Sequence, residues 1–306
     1  MGPLSFRTYH EVAGEDRSQL GEQVSAQRER VSARMRLVTH VIAVMSGKGG
    51  VGKSYVTAGM ALALARRGYR VGVLDADLAS PTVARMLDAS GPLRIDSDGA
   101  HPARARIARR MEGQVTDPSS NIPSSAAPVV FSSDLLLADG APLRWKEPGT
   151  EQFVWRSVLE TGALREFLSD VVWGVLDVLL IDLPPGTDKL GDLAQLVPNL
   201  AGAIAVTIPT EESRRSVERA MRSAASAGVT LLGVIENMSG YECGGCGRID
   251  RLFEGQAGAA LTAEFGVPLL AALPFRALDS SQPPALDEAM LVGVLSSITT
   301  PASPAP

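Results

Sequence analysis

The sequence predicts an α/β protein of three layers, in which helices cover both faces of a mostly parallel central sheet. Short apolar runs of strand length alternate with helical segments along the chain. Parallel strands need such crossover connections, and both faces of a parallel sheet are buried. The 306 residues, of which 45% are hydrophobic, can supply the core that this fold requires.

The predicted elements follow one another in a regular order. The apolar runs predicted to be strands are 41–45, 70–75, 128–131, 178–182, 203–208, 231–235 and 269–273. Helices are predicted at 54–67, 162–172, 211–227 and 286–298, with a loop at 282–285. We expect one domain over 41–299, a polar helical extension at 1–40 and a disordered tail at 300–306. The extension has apolar residues on one helical face (Leu20, Val24, Val31 and Met35), which favours a peripheral helix over a partner-binding one.

A glycine-rich loop follows the first predicted strand and opens the first predicted helix. It matches the pattern G-x-x-x-x-G-K-[ST] at every fixed position, with residues Gly47, Lys48, Gly49, Gly50, Val51, Gly52, Lys53 and Ser54. In this context the backbone N–H groups can surround a phosphate at a helix N-terminus, whereas a glycine turn without ligand is the alternative. Lys53 is predicted to contact the β- and γ-phosphates of ATP, and Ser54 to bind Mg²⁺.

Carboxylates follow two later strands, at the edge where α/β sheets bind ligands. Asp75 and Asp77 follow the second strand; one is predicted to hold Mg²⁺ through water and the other to orient or deprotonate the attacking water. A cap or turn is the alternative for this pair. Asp182 ends the run 178–182 and is predicted to hold Mg²⁺ through a bound water molecule. The stiff Pro184-Pro185-Gly186 turn after it is predicted to sense the γ-phosphate.

The chain has two cysteines, Cys243 and Cys246, in a polar glycine-rich loop. Structural zinc and iron–sulfur clusters usually take four ligands. The three histidines, His10, His40 and His101, lie far away in the sequence without zinc-ligand spacing. The simplest route to four thiolates is a two-fold dimer that shares one site. Thiol redox chemistry and inert thiols are the alternatives.

Composition and charge exclude several classes of protein. A net charge of −5 argues against a wholly electrostatic nucleic-acid binder, no apolar run could span a bilayer, and the N-terminus has no signal-peptide core. The acidic residues near the start also fit a mitochondrial presequence poorly, so we expect a cytoplasmic protein. A surface excursion at 95–127 carries a basic cluster that is a solvated helix face or a partner surface: Arg104, Arg106, Arg109 and Arg110.

The loop sequence GKGGVGKS resembles that of the deviant phosphate-loop ATPases, which include the MinD/ParA, nitrogenase iron protein, arsenical pump and Mrp/ApbC groups. In those proteins the extra lysine, here Lys48, reaches across a homodimer to the partner's nucleotide and supplies charge in trans. The cysteine pair shortly after Asn237-Met238-Ser239 resembles the Mrp/ApbC iron–sulfur cluster carriers. Further similar segments are 75–82, 173–187, 266–268 and 273–275.

This resemblance implies ATP binding, slow hydrolysis and a labile [4Fe–4S] cluster that bridges two chains through Cys243 and Cys246. It also implies delivery of the cluster to apoprotein clients, cluster donor proteins as partners, and contact of Asn237 with the adenine base. The chain departs from the usual family pattern at Tyr55, Arg156-Ser157-Val158, Asp188-Lys189 and Thr210.

Two other functions remain open at the level of sequence. A MinD/ParA-like positioning or partition ATPase would need a membrane-seeking helix or a DNA-binding surface, for which the basic cluster is the best candidate. A zinc-stapled regulatory ATPase would use the same cysteines structurally, because zinc and iron both accept four thiolates.

Overall fold

The computed structural model of the chain describes residues 20–91, 93–106, 126–136, 152–186, 189–276 and 293–296, and for 20–24 and 152–159 the backbone alone. Its strands are β1 (Val38–Met45), β2 (Val71–Asp75), β3 (Arg94–Asp96), β4 (Gly99–His101), β5 (Ala103–Arg104), β6 (Val129–Ser132), β7 (Leu176–Asp182), β8 (Leu200–Thr207), β9 (Leu231–Glu242), β10 (Ile249–Asp250) and β11 (Leu269–Arg276). Its helices are α1 (Leu20–Met35), α2 (Lys53–Arg66), α3 (Val83–Met86), α4 (Gln152–Asp170), α5 (Lys189–Leu196), α6 (Glu211–Ser226) and α7 (Ala257–Phe265), with a 3₁₀ turn at Ser133–Leu136.

The central sheet confirms the predicted fold class. Its parallel strands lie in the order β11-β9-β8-β1-β7-β2-β6, while the short β5 and β10 pair antiparallel at β6 and β9. The order places β1 in the middle of the sheet, between β7 and β8. The loop that follows β1 therefore lies beside the carboxyl ends of β7 and β8, in the region where ligands bind to such sheets.

Hydrophobic cores fill both faces of the sheet. Along β1, Ile42 and Val44 belong to one core and Val41, Ala43 and Met45 to the other, as the two-residue period of a strand requires. The first core is covered by α2, whose residues from Val56 to Ala65 are all buried. The second core is covered by α1, α4, α5 and α6.

Several element boundaries differ from the predicted ones. Strand β1 begins at Val38 rather than Val41. Helix α4 begins at Gln152, so Gly162, which was predicted to start it, lies within the helix, where a Cβ would meet nothing within 4 Å. Strand β9 continues to Glu242, seven residues beyond its predicted end. Strand β11 runs past Pro274 at an irregularity of the ladder, where a proline is tolerated.

Other predictions are met in part or lie outside the described residues. Helix α1 packs on the body of the protein through Val31 and Met35, as expected for a peripheral helix. Residues 293–296 are helical within the predicted helix 286–298. Residues 107–125, 137–150, 187–188, 282–285 and 300–306 lie outside the description, and with them Arg109 and Arg110. Among the described residues, no helix is both long and apolar enough to cross a membrane.

Candidate functional site

The glycine-rich loop joins the central strand β1 to helix α2. Gly50 and Gly52 both have φ of 80°, a left-handed conformation that favours glycine. Helix α6 contacts the other end of the loop: Ser216 donates a hydrogen bond to the Gly47 carbonyl at 2.8 Å, and a Cβ on Gly47 would lie 2.1 Å from the Ser216 backbone. The loop is thus fixed by close backbone packing at the start of a helix, where backbone N–H groups can bind an anion.

Asp182 is the centre of a buried polar cluster at the start of α2. The Lys53 ammonium lies 2.8 Å from the Asp182 Oδ2, and the Ser54 hydroxyl donates to the same oxygen at 2.6 Å. The Thr57 hydroxyl donates to the Oδ1 at 2.7 Å. Lys53 and Asp182 are 6% and 0% exposed, so this ion pair lies out of water.

The Lys53 ammonium fits a phosphate ligand. Its contact with Asp182 is an ion pair without the directional geometry of a hydrogen bond, and no hydrogen-bond partner is present among the described residues. A buried cation with unused donors is costly unless an anion completes its surroundings. Together with the helix N-terminus, these donors suit the phosphates of a nucleotide, and the Ser54 and Asp182 oxygens suit Mg²⁺.

Asp75 lies next to Asp182, because β2 and β7 pair the two residues directly. Asp75 is fully buried; its Oδ2 accepts hydrogen bonds from the N–H groups of Thr82 and Val83 at 2.9 and 3.1 Å and from the Ser132 hydroxyl at 3.3 Å. Burial, followed by the charge of Asp182, raises the pKa of Asp75 to about 7, against the opposing effect of the backbone donors and Lys53. The Asp75 carboxyl thus accepts hydrogen bonds from the backbone at the start of α3. This is the kind of contact expected of a helix cap, which was the alternative role predicted for Asp75.

Asp77 is more accessible than Asp75. It is half-buried, and its Oδ1 accepts a hydrogen bond from the Ser80 N–H at 3.1 Å. Its own N–H donates to the Asp75 Oδ1 at 3.3 Å. A half-buried carboxylate at this edge can reach a water molecule, whereas the Asp75 carboxyl is enclosed by donors.

The turn after Asp182 touches the phosphate loop. The Gly186 N–H donates to the Ser46 carbonyl at 3.0 Å, and the Pro185 ring lies 4.0 Å from the position of a Cβ on Gly49. The Ser46 hydroxyl donates to the carbonyl of Lys48, whose side chain is half-exposed. The turn therefore contacts the phosphate loop directly, so a ligand bound in the loop would lie close to the turn.

Asn237 lies beside the same loop. Its Nδ2 donates to the Val51 carbonyl at 2.9 Å, and a Cβ on Gly52 would lie 2.2 Å from that Nδ2. Asn237 is 5% exposed. Its amide therefore holds the phosphate loop in place from β9. This contact with the loop was not predicted from the sequence, which indicated only a contact of Asn237 with adenine.

Cys243 and Cys246 lie in a hairpin between β9 and β10, and no disulfide joins them. The Cys243 N–H donates to the Arg248 carbonyl at 2.9 Å, and the Gly247 N–H to the Cys243 carbonyl at 2.8 Å, with Gly247 at a φ of 70°. Hydrogen bonds from the Gly245 and Cys246 backbone, then from the Cys246 side chain, lower the pKa of the Cys243 thiol. These donors favour a thiolate, the form that binds metal.

The two cysteines do not form a complete metal site with other side chains in the described part of the chain. Among the described residues, no group of three or more histidine, cysteine or acidic side chains could hold a metal ion. Cys246 is exposed and Cys243 half-buried, so both thiols face the surface of the chain.

The structure brings most of the predicted site residues together at one edge of the sheet: Gly47–Ser54, Asp75, Asp77, Asp182 and Asn237. The cysteines lie beyond the end of β9, in a separate hairpin. Sequence reasoning missed Thr57, whose only signal is its place one helical turn after Lys53, and Ser132 and Ser216, for which the sequence gives no signal.

The sheet order, the loop at its central strand and the buried Lys53–Asp182 pair define a P-loop NTPase. Within this class the chain belongs to a particular family: the family model described as ParA, NUBPL iron-transfer P-loop NTPase, matches residues 37–291. This match confirms the resemblance to the iron–sulfur cluster carrier ATPases that the sequence indicated.

Relatives and a solved structure agree with this family. The chain is 36% identical over 261 residues to a Saccharolobus solfataricus protein named iron-sulfur cluster carrier protein, covering 85% of this chain and 79% of that protein. It is 37% identical over 245 residues to the Chaetomium globosum cytosolic Fe-S cluster assembly factor CFD1, covering 78% and 74%. The nucleotide-binding protein of Archaeoglobus fulgidus, solved in complex with ADP, has a TM-score of 0.61 and 29% identity, covering 89% and 92% of the two chains.

Proposed function

We propose that the protein is an ATP-dependent iron–sulfur cluster carrier, which binds a [4Fe–4S] cluster between two copies of the chain and transfers it to apoproteins. The observation that carries this proposal is the exposed Cys243–Cys246 hairpin on a P-loop NTPase domain. The names of the Saccharolobus and Chaetomium relatives support it. We infer that the ATPase domain includes all of β1, which begins at Val38 rather than at the predicted residue 41, and runs to residue 299.

The nucleotide site would bind ATP with Mg²⁺ and hydrolyse it slowly. In this account the 47–54 loop surrounds the phosphates, Lys53 contacts the β- and γ-phosphates, and Ser54 and Asp182 hold Mg²⁺, Asp182 through water. Asp77 orients the attacking water, and Asp75 holds the backbone around Asp77 through the contacts described above. Lys48 supplies its charge to the nucleotide of the partner chain, which requires a homodimer.

The cluster would be cargo held by four thiolates, two from each chain. This proposal is supported by the apolar side chains exposed on the hairpin and the neighbouring strand end: Ile249 (57%), Leu252 (42%) and Phe275 (46%). Side chains of this kind would lose water contact if a second copy packed against the hairpin, which favours association. Donor and client proteins would reach the cluster in the dissociated or opened dimer. The cytoplasm is the proposed location, in line with the name of the Chaetomium relative.

Anaerobic purification followed by analysis of iron, sulfide, zinc and solution mass tests this proposal. We expect about two irons and two sulfides per chain in a dimer, which corresponds to one shared [4Fe–4S] cluster. The double variant Cys243→Ser, Cys246→Ser is expected to lose the iron. Arg248→Ala is the matched control, because it alters the same hairpin and removes only an exposed pair with Asp250. About half a zinc per chain would support the structural staple instead, and iron that survives the double variant would refute the bridging site.

A further inference from the structure

Strand β9 connects the phosphate loop to the cysteine hairpin without a break in the chain. Asn237 contacts the loop through Val51 and Gly52, and Cys243 follows six residues later. Between Asn237 and Cys243 the pairing of β9 with β11 is irregular. Leu273 pairs with Asn237 and Phe275 with Tyr241, so an advance of two residues along β11 corresponds to four residues along β9. A bulge of this kind bends a strand and redirects the residues after it.

Met238 is the point at which β9 bends. Its φ is 56°, a left-handed conformation that a long side chain adopts only when its surroundings impose it. Met238 and Asp88 are the two residues other than glycine with positive φ in the described part of the chain. Asn237 on one side is buried in the sheet, while the segment after the bulge leads into the hairpin.

The hairpin is packed firmly on the far side of the bend. A Cβ on Gly240 would lie 2.7 Å from the Ile249 side chain and 2.9 Å from the Asp250 carbonyl, so β10 lies directly on β9 there. Glu242, the residue before Cys243, pairs with Arg276 of β11 at 2.6 Å. A movement of β9 at the bend would therefore be carried to Cys243 instead of being absorbed by a loose loop.

Helix α2 and the bend share one hydrophobic core. Tyr55, which follows Ser54 directly, and Met238 are both half-buried and pack against that core. Beyond the bend, Arg276 of β11 pairs with Glu242, the residue before Cys243. The start of α2 and the bend therefore belong to the same packed body.

We infer that Met238 is a positioning residue: its left-handed backbone couples occupancy of the phosphate loop to the position of the cysteine hairpin. A nucleotide that shifts Val51 and Gly52 shifts Asn237, and the fixed bend at Met238 transmits the shift to Cys243. The biological role of this coupling rests on the proposed function, because it would let ATP alter cluster binding. The coupling itself requires only that the loop binds nucleotide.

Hydrogen exchange of the hairpin amides tests the inference in the metal-free protein. With saturating Mg-ADP, we expect the exchange rates of residues 241–250 to change at least about fivefold, within the usual range of coupling between sites. In Met238→Gly the change is expected to fall below about twofold, because glycine adopts either sign of φ and leaves the bend unfixed. In Met238→Asn it is expected to remain, because asparagine also loses the methionine side chain but tolerates the left-handed conformation.

Asp88→Gly is the control for a positive-φ residue away from β9 and is expected to respond as the wild type does. ADP affinity should stay within about threefold in all three variants, since none removes a loop contact. A wild-type protein that binds ADP without any change in the hairpin would overturn the inference, as would full coupling in Met238→Gly. A nucleotide-dependent hairpin in a protein that binds no iron would uphold the inference and overturn the proposed function.

Discussion

The Lys53 ammonium and the Asp182 carboxylate form a buried ion pair, 2.8 Å apart, between the start of α2 and the end of β7. Asp182 also accepts the hydroxyl hydrogen bonds of Ser54 and Thr57, so its two oxygens are held by three side chains of one helix turn. The pair joins the phosphate loop to the sheet, and its contribution to stability can be measured.

Asp182→Asn is expected to destabilise the nucleotide-free protein by about 3 kcal/mol, because it leaves the Lys53 charge buried without a counter-ion. Denaturant unfolding at neutral pH measures this change. Asp177→Asn is the matched control on the same strand: Asp177 pairs with the half-exposed Arg70, and loss of such a surface pair costs about 1 kcal/mol or less. Equal losses in the two variants would contradict the importance of the buried pair.

Asp75→Asn is expected to change the dependence of stability on pH. The pKa of Asp75 in the folded protein, about 7, lies above its ordinary value of 3.8, so the folded state holds this proton more tightly than the unfolded state. The contribution of Asp75 therefore falls as pH rises from about 4 to about 7, by roughly 2–4 kcal/mol. The variant has no such proton.

Unfolding free energies of wild type and Asp75→Asn, measured from pH 4 to pH 8, check this sign. Relative to the wild type, the variant should gain stability as pH rises through this window and then level off. The quantity to compare is the change with pH in the difference between the two unfolding free energies. Weaker hydrogen bonds to Thr82 and Val83 would shift that difference equally at pH 4 and at pH 8. Parallel curves would show that Asp75 ionises normally in the folded protein.

Gly52→Ala is expected to cost more stability than Gly50→Ala, although both glycines have the same φ. The left-handed backbone alone costs an alanine about 1–2 kcal/mol. At Gly50 a Cβ meets nothing within 4 Å, whereas at Gly52 it would lie 2.2 Å from the Asn237 amide, which adds roughly 1–3 kcal/mol of overpacking.

Unfolding of the two single variants and of Gly52→Ala, Asn237→Ala tests the origin of that difference. Shortening Asn237 removes the clashing atom, so the double variant should recover most of the excess cost. Additive losses in the double variant would mean that Asn237 does not approach Gly52 as closely as the structure has it.

Lys48→Ala and Lys53→Ala subunits are expected to complement each other. The Lys48→Ala subunit keeps a complete nucleotide loop but supplies no lysine in trans, and the Lys53→Ala subunit does the opposite. Each variant alone should lose about 10³-fold or more of its ATPase rate, as on loss of an arginine finger. A mixture should regain activity, because the heterodimer contains one complete site.

ATP turnover of the two variants, measured separately and mixed at equal concentration, gives the result. The control is a mixture of either variant with the double variant Lys48→Ala, Lys53→Ala, which completes no site. If the true mixture is as inactive as this control, Lys48 does not act across a dimer.

The sequence was most informative where a site is local. Residues 47–54 form their loop from consecutive positions, so their spacing between a strand and a helix was enough to predict the loop and the places of Lys53 and Ser54. The contact between Thr57 and Asp182, which are 125 positions apart, depends on β1 lying beside β7. No periodicity of the chain specifies that order of strands.

The cysteine region illustrates a second limit. Asn237-Met238-Ser239-Gly240 has little strand propensity, so β9 was predicted to end at Ile235. Pairing with β11, and with β10 after the hairpin, extends the strand to Glu242. The raised pKa of Asp75 likewise results from burial and from the neighbouring charge of Asp182, which only the folded protein brings together.

The carrier function is tested by transfer of a cluster from the purified, reconstituted protein to an apoenzyme that needs [4Fe–4S] for its activity. The assay contains a chelator that captures free iron, and it is run with Mg-ATP, with Mg-ADP and with the Cys243→Ser, Cys246→Ser variant treated in the same way. We expect the acceptor to regain activity in the presence of chelator only with the wild-type protein, at a rate that depends on the nucleotide. Activation that the chelator abolishes, or that the cysteine variant supports equally, would contradict the claim that this protein carries clusters.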